Sequence, residues 1–268
     1  MPASDALLLS LEPWAWPWTA LALGLVVGSF ANVCIYRLPL GRSLARPGSA
    51  CPSCAASIRW FDNIPVLSWL LLGARCRRCG ARISARYPLV ELANGLLYFA
   101  VALRAPPGAA AALEMTFLTA LLVLSLIDLD HQILPDVITL PGTALGLVGS
   151  LLPGPPSPLE SALSAAGGYL GFAAVARAAE WYYGQEALGQ GDWKMAALLG
   201  AFLGWRALLV TVFLACLVGA VVGLALIALR RGSRMTRIPL GTFLGLAGIA
   251  AVFAARPLLD WYGRLFRV

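Results

Sequence analysis

WTALALGLVVGSFANVCIY, residues Trp18–Tyr36, carries no charged side chain, and neither does ALLVTVFLACLVGAVVGLALIAL, residues Ala207–Leu229. A helix rises about 1.5 Å per residue. Each stretch can therefore cross a hydrocarbon core about 30 Å thick. Ile238–Ala255 is a third uncharged run. Four weaker runs lie between them: Pro88–Leu103 holding Glu91, Ala109–Ile127 holding Glu114, Val137–Leu152 and Ser161–Ala176. Met195–Trp205 adds a short one. Composition agrees: 60% of the 268 residues are hydrophobic and 12% charged, where a soluble domain is roughly a quarter charged. The expected fold is an all-α polytopic membrane protein of about eight transmembrane helices, the sixth short or tilted.

Trp14, Trp16 and Trp18 stand at the start of the first run, where indole rings anchor a helix at the interface. Asp5 and Glu12 precede it and no basic segment does, so this end does not read as a cleavable signal peptide.

The net charge of +7 is concentrated. Nine arginines (37, 42, 46, 59, 75, 77, 78, 82, 86) lie between Arg37 and Arg86 against one acid, Asp62, and Arg230, Arg231, Arg234 and Arg237 add four more. Basic loops are retained on the cytoplasmic side. Retention accounts for the charge without a nucleic-acid ligand, the rival reading. Eight spans threaded from an external N-terminus put both basic loops inside. The end of helix three near Asp128 and the loop before helix six are then cytoplasmic too.

The first basic loop holds Cys51-Pro-Ser-Cys54 and Cys76-Arg-Arg-Cys79, with 21 residues between the pairs. Two C-x-x-C pairs so spaced form a zinc pattern. Four thiolates complete a tetrahedral shell, which makes such a site structural. A loop this short has little apolar surface to bury, so metal ligation supplies folding free energy. Disulfides are the alternative, favoured outside reducing compartments. Cys34 and Cys216 sit in apolar runs and read as small buried residues.

Carboxylates in a membrane are costly and are functional candidates by default. Asp128 ends the third run in Ser125-Leu-Ile-Asp128-Leu-Asp130-His131-Gln-Ile-Leu-Pro135-Asp136, and Asp192 begins the sixth in Gly189-Gln-Gly191-Asp192-Trp-Lys194. Two close carboxylates titrate as a pair, one protonated and one not. Such a pair can activate water against a peptide carbonyl. Gly189 and Gly191 leave room for a backbone to approach. The plainer alternative is interfacial: Asp192 as a helix N-cap and Asp128 as a snorkelling end residue. Asp130 and Asp136 compete with Asp128, and Lys194 either orients Asp192 or sits at the interface. His131 is the single histidine and reads as a solvated loop residue. No H-E-x-x-H motif is present. A zinc-ordered scaffold or transporter without hydrolysis is the competing functional class.

Taken together, these segments resemble the bacterial type IV prepilin peptidases, bifunctional membrane aspartyl proteases of the G-x-G-D class. The resemblance runs through most of the chain. It begins with Gly28-Ser-Phe-Ala-Asn32-Val-Cys-Ile-Tyr36-Arg37-Leu-Pro39. It continues through the paired cysteines, with Asp62-Asn63-Ile-Pro65 and Ser68-Trp69 between them, to Arg86-Tyr87-Pro88-Leu-Val-Glu91-Leu. It ends in the two aspartate segments. Trp193 and Met195 depart from the smaller or aliphatic residues expected after G-x-G-D.

The resemblance implies that Asp128, seven residues before Pro135, and Asp192 are the catalytic pair, supported by Gly189, Gly191 and Lys194. It implies cleavage of the short leader of type IV prepilins or type II secretion pseudopilins after Gly, at the cytoplasmic face of the bacterial inner membrane. It also implies N-methylation of the new N-terminus with S-adenosylmethionine, with Glu91 and Gly95 as candidate cofactor residues; Glu91 as a plain interfacial carboxylate is the alternative. Related archaeal preflagellin peptidases lack the cysteine loop, so Cys51, Cys54, Cys76 and Cys79 favour the bifunctional type with a structural zinc. The expected organisation is an N-terminal segment and first helix (1–36), a cytoplasmic tetracysteine domain (37–87) and a membrane peptidase domain (88–268). The partners expected are the substrate and membrane lipid, with no nucleic acid.

Overall fold

The structure is a computed structural model and describes residues 15–154, 156–184, 188–229 and 239–265. Trp14 and the basic loop from Arg230 to Arg237 lie outside the described residues. Among the described residues the regular structure is helical, with two isolated antiparallel bridges and no strand. The helices are α1 (Ala15–Arg37), α2 (Leu67–Leu71), α3 (Arg86–Ala102), α4 (Ala109–His131), α5 (Asp136–Gly149), α6 (Pro158–Tyr183), α7 (Gln190–Ala228) and α8 (Leu240–Leu265), with a 3-10 turn at Trp60–Asn63. Helices α1, α4, α6 and α7 are long and apolar enough to cross a membrane, and α5 and the stretch Leu240–Ala255 are shorter apolar helices. The chain is a membrane protein.

Each apolar run of the sequence falls on a helix, but two runs share one. Met195–Trp205 and Ala207–Leu229 both belong to α7, which is interrupted at Gly204 (φ 74°, ψ 170°). That backbone conformation is open only to glycine. A Cβ at Gly204 would also lie 2.7 Å from Glu160 Oε1.

The chain divides into two compact units, Met1–Thr119 and Ala120–Val268, with the boundary inside α4. In the first unit α1 packs on α3 through small residues. A Cβ on Gly24 would lie 2.8 Å from the Gly95 Cα, and one on Gly28 2.7 Å from the Glu91 Cα. Small residues at four-residue spacing let membrane helices approach closely. The approach lets Asn94, fully buried, donate to the Gly24 carbonyl (2.8 Å) and accept from Thr119 Oγ1 (2.8 Å). Trp16 Nε1 donates to the Ala105 carbonyl (3.0 Å), fixing the start of α1 beside the end of α3. Glu114, an acid within an apolar run, is paired with Arg104.

In the second unit α7 packs against α5, α6 and α8. The α6–α7 contact again runs through glycines: a Cβ on Gly168 would lie 2.6 Å from the Ala196 carbonyl oxygen, and one on Gly200 would collide with the Ser164 carbonyl. Lipid tails offer helices no hydrophobic gain on association. Close backbone contact and buried polar bonds such as Ser161 Oγ to the Ala201 carbonyl (2.7 Å) hold the bundle instead.

Candidate active site and metal centre

The four cysteines of the 38–85 loop come together from two copies of one local structure. In the first, the Cys51 amide donates to Ala56 O (2.9 Å), the Ala55 amide donates to Cys51 O (2.9 Å), and Ala50 bridges Ser57. In the second, the Cys76 amide donates to Ala81 O (2.8 Å), the Gly80 amide donates to Cys76 O (2.9 Å), and Arg75 bridges Arg82. The residue after the second cysteine is left-handed in both copies, Ala55 at φ 54° and Gly80 at φ 70°. Each turn projects its two thiols to the same side.

The four Sγ atoms lie within 4.8 Å of one another, and Cys51 Sγ to Cys79 Sγ is 3.8 Å. A tetrahedral thiolate site with metal–sulfur bonds near 2.3 Å has sulfur–sulfur edges of about 3.8 Å. The donor set and its spacing fit a metal ion. The amides of Cys54 and Ser53 hold the Cys51 thiol down at about 6. At Cys79 the Ala81 amide also lowers, but burial and the neighbouring Cys54, Cys76 and Cys51 thiols outweigh it and push the group up to about 11. Four thiols this close resist joint ionisation until a cation neutralises them.

The loop around the cysteines is fastened by polar bonds. Arg77 makes a two-pronged ion pair with Asp62, closest at 2.7 Å, which holds the Asp62 carboxyl below its usual range. Trp69 Nε1 donates to Ile83 O (3.1 Å). Glu91, 8% exposed on α3, accepts the Val66 amide through Oε2 (2.7 Å) and so ties the loop to that helix. Gly95 is covered by Leu25 and Leu21 of α1. Both expected cofactor residues thus serve the α1–α3–loop junction.

In the second unit Asp128 is 5% exposed, whereas Asp130, two residues on, is exposed. Asp128 Oδ2 accepts from the Thr242 amide (2.7 Å) and from Thr242 Oγ1 (3.1 Å). The first turn of α8 comes this close because position 241 is glycine: a Cβ there would lie 3.0 Å from Asp128 Cγ. The Asp192 carboxylate is within electrostatic reach of Asp128 and lies beside the Gly189 backbone. Gly189 is the N-cap of α7. Asp192 is therefore not the N-cap but the N3 residue, in the first turn of α7.

The two glycines of Gly189-Gln-Gly191-Asp192 differ. Gly189 is open: only Asp192 Oδ2, at 3.8 Å, comes within 4 Å of a Cβ built there. At Gly191 the space is filled by Leu134, whose Cβ would be 2.9 Å away. Leu134 Cδ1 also lies 2.9 Å from a Cβ on Gly241, so one leucine packs against the glycines beside both aspartates. Lys194 Nζ donates to Asp136 Oδ1 (2.7 Å) and Oδ2 (2.8 Å), which engages the lysine with the start of α5.

Thr242 and Gly241 are the residues that sequence reasoning missed. Their signal was faint: Pro239-Leu-Gly241-Thr242 is a helix start with a breaker, a glycine and a short hydroxyl side chain opening an uncharged run. His131 is exposed, as expected, but is the last residue of α4 rather than part of a loop, and Cys34 is buried. Cys216 is a correction: it is exposed on α7. An apolar run marks a helix for lipid without saying which of its faces meets protein.

Residues 22–105 match the bacterial peptidase A24 N-terminal domain, and residues 115–224 match the type IV leader peptidase family. A protein of Aeromonas hydrophila named prepilin leader peptidase/N-methyltransferase is 39% identical over 284 residues, covering 96% of this chain and 98% of its own. One of the same name from Pseudomonas aeruginosa is 41% identical over 278 residues, with 94% of each chain covered. Another, from Myxococcus xanthus, is 45% identical over 205 residues, covering 76% of this chain and 61% of its own. No solved structure matches the chain. The similarity spans both the cysteine loop and the two aspartate segments, and on that ground the chain belongs to the type IV leader peptidase family.

Proposed function

We propose that this protein cleaves the leader of type IV prepilins or type II secretion pseudopilins and then methylates the new N-terminus. The observation that carries the reading is the buried Asp128 carboxylate, held by Thr242 and within electrostatic reach of Asp192. Of this pair, one enters as a carboxylate and the other as a carboxylic acid. The carboxylate takes a proton from water as the water oxygen bonds to the scissile carbonyl carbon. The acid gives its proton to the carbonyl oxygen, and a gem-diol forms. The diol then returns one proton to the second aspartate while the first gives its proton to the nitrogen. The carbon–nitrogen bond breaks and both side chains regain their starting states. Gly189 leaves space beside Asp192 for an extended substrate backbone. Lys194 supports the site by anchoring α7 to α5 through Asp136.

On this reading the tetracysteine loop binds zinc, and Cys51, Cys54, Cys76 and Cys79 complete its shell. About eight helices cross the bacterial inner membrane, and the aspartates and the loop face the cytoplasm, where the arginine-rich loop is retained. The division into 1–36, 37–87 and 88–268 follows the same logic. S-adenosylmethionine, when bound, supplies an electrophilic methyl group to the freed amine. Glu91 would shape that site by fixing the Val66 amide, and Gly95 by admitting α1.

Purified enzyme incubated with a prepilin tests the reading by mass spectrometry. Loss of the leader mass is expected, followed by a methyl gain when S-adenosylmethionine is present. The Asp192→Asn enzyme should leave the substrate mass unchanged. Cleavage by that variant at the native rate would end the dyad assignment.

A further inference from the structure

We propose that Thr242 sets the division of labour in the aspartate pair, holding Asp128 as the resting carboxylate that takes the proton from water and leaving Asp192 to supply the acid proton. The inference rests on the dyad reading above and deepens it.

The two carboxylates are held differently. Asp192 lies beside the Gly189 backbone in the first turn of its own helix. Asp128 takes two donors from a different helix, the Thr242 amide at 2.7 Å and its hydroxyl at 3.1 Å, and both fall on Oδ2. An amide can only donate, so it favours the charged form of its acceptor. It also belongs to the first turn of α8, where unpaired amides and the helix dipole stabilise an anion.

The hydroxyl adds a second feature. Thr242 Oγ1 is within reach of Asp128 Oδ2 (3.1 Å) and of the Ser125 carbonyl (3.0 Å), and it has one proton to give. While Asp128 is ionised, the proton points to Oδ2. When Asp128 has taken the proton of water, the hydroxyl can turn its own proton to Ser125 O. Thr242 therefore serves both protonation states and weights the resting one. With Oδ2 engaged, Oδ1 is left for proton transfer.

No other described charge competes for this role. Asp192 is the titratable group facing Asp128 from α7. Asp136 of α5 is paired with Lys194, Asp130 and His131 of α4 are exposed, and α8 carries no titratable residue before Arg256. Gly241 makes the arrangement possible, because any side chain there would press on Asp128 and Leu134.

Thr242 is thus a positioning residue, and its signature is a pH profile. In full-length enzyme assayed on a prepilin, Thr242→Val and Thr242→Ala remove the hydroxyl and keep the amide. Losing a hydrogen bond to a carboxylate disfavours its charged form. The acid-side midpoint of kcat/KM should therefore move up by about one to two pH units in both variants, with KM on the alkaline plateau little changed. Thr242→Ser keeps the hydroxyl and should keep the native midpoint. The alanine variant needs less space than valine and guards against a packing failure. An unmoved or lowered midpoint in Thr242→Val and Thr242→Ala overturns the proposal, as does a serine variant shifted as far as valine. Asp128→Asn cutting at the native rate would instead remove the dyad reading itself, whatever Thr242 does.

Discussion

The cysteine cluster and the aspartate pair are both small sets of polar side chains, but they are built by opposite means. The cysteine centre is local. Two turns of the same design, offset by 25 positions (Cys51 to Cys76, Ala55 to Gly80), each deliver two thiols, and the ligands' spacing in sequence already encodes their spacing in space. The aspartate site is assembled from the ends of three helices, with Asp128 on α4, Asp192 on α7 and Thr242 on α8. Its positions are set by helix packing through Gly191, Gly241 and Leu134, which no short motif specifies. The first kind of site is set by two local turns whose four thiols fit a metal ion; the second depends on the bundle.

The contrast can be broken by damaging each site alone. The largest effect belongs to the pair. Asp192→Asn should lower prepilin cleavage on the order of 10²–10⁴-fold, the usual worth of general acid–base catalysis. Metal content measured by atomic absorption should stay native. A fall in metal content would mean that the two sites are not independent.

Next comes the loop. Structural zinc is worth about 10–16 kcal/mol of folding free energy in small peptides at neutral pH. Cys51→Ser should therefore strip the metal and leave residues 38–85 open to hydrogen exchange. Protection in α7 should remain. A variant that keeps its metal contradicts the four-thiolate site.

Packing follows. Gly200→Ala drives a methyl group into the Ser164 carbonyl and should cost about 1–3 kcal/mol, read as a lowered melting midpoint in detergent. Gly171→Ala on α6 meets nothing within 4 Å and should melt close to the native enzyme. Equal losses at both positions would refute the close α6–α7 contact.

The smallest effect compares the two cysteine turns with each other. Both need a left-handed residue, but one has alanine where the other has glycine. Gly80→Ala should destabilise the loop by about 1 kcal/mol. Ala55→Gly trades that strain against glycine's greater unfolded freedom and should be near neutral. Chelator resistance of the bound metal reads both. A Gly80→Ala loop as robust as native would mean that the turns are not equivalent.

The same distinction explains how much the sequence disclosed. Helices were legible because each apolar run exceeds what a loop tolerates, and the Gly204 break accounts for the short sixth run. The cysteines were legible because their geometry is local. Residue chemistry alone left Asp130 in competition with Asp128; the family resemblance, through the distance to Pro135, favours Asp128, and the fold buries Asp128 and exposes Asp130. Contacts between distant helices were not legible. Thr242 meets Asp128 across 114 positions, and Lys194 meets Asp136 across 58. Gly191 reads as room for substrate until Leu134 is seen filling it. Cys216 could not be placed, because lipid and protein interior demand the same apolar residues.

Of Asp128 and Asp130, the buried one should do the chemistry. Cleavage rates of purified Asp128→Asn and Asp130→Asn enzymes, measured side by side on one prepilin, test it most directly. Asp128→Asn should lose cleavage while Asp130→Asn retains clear activity; the reverse order, or equal losses, would rule out Asp128 as the reacting carboxylate.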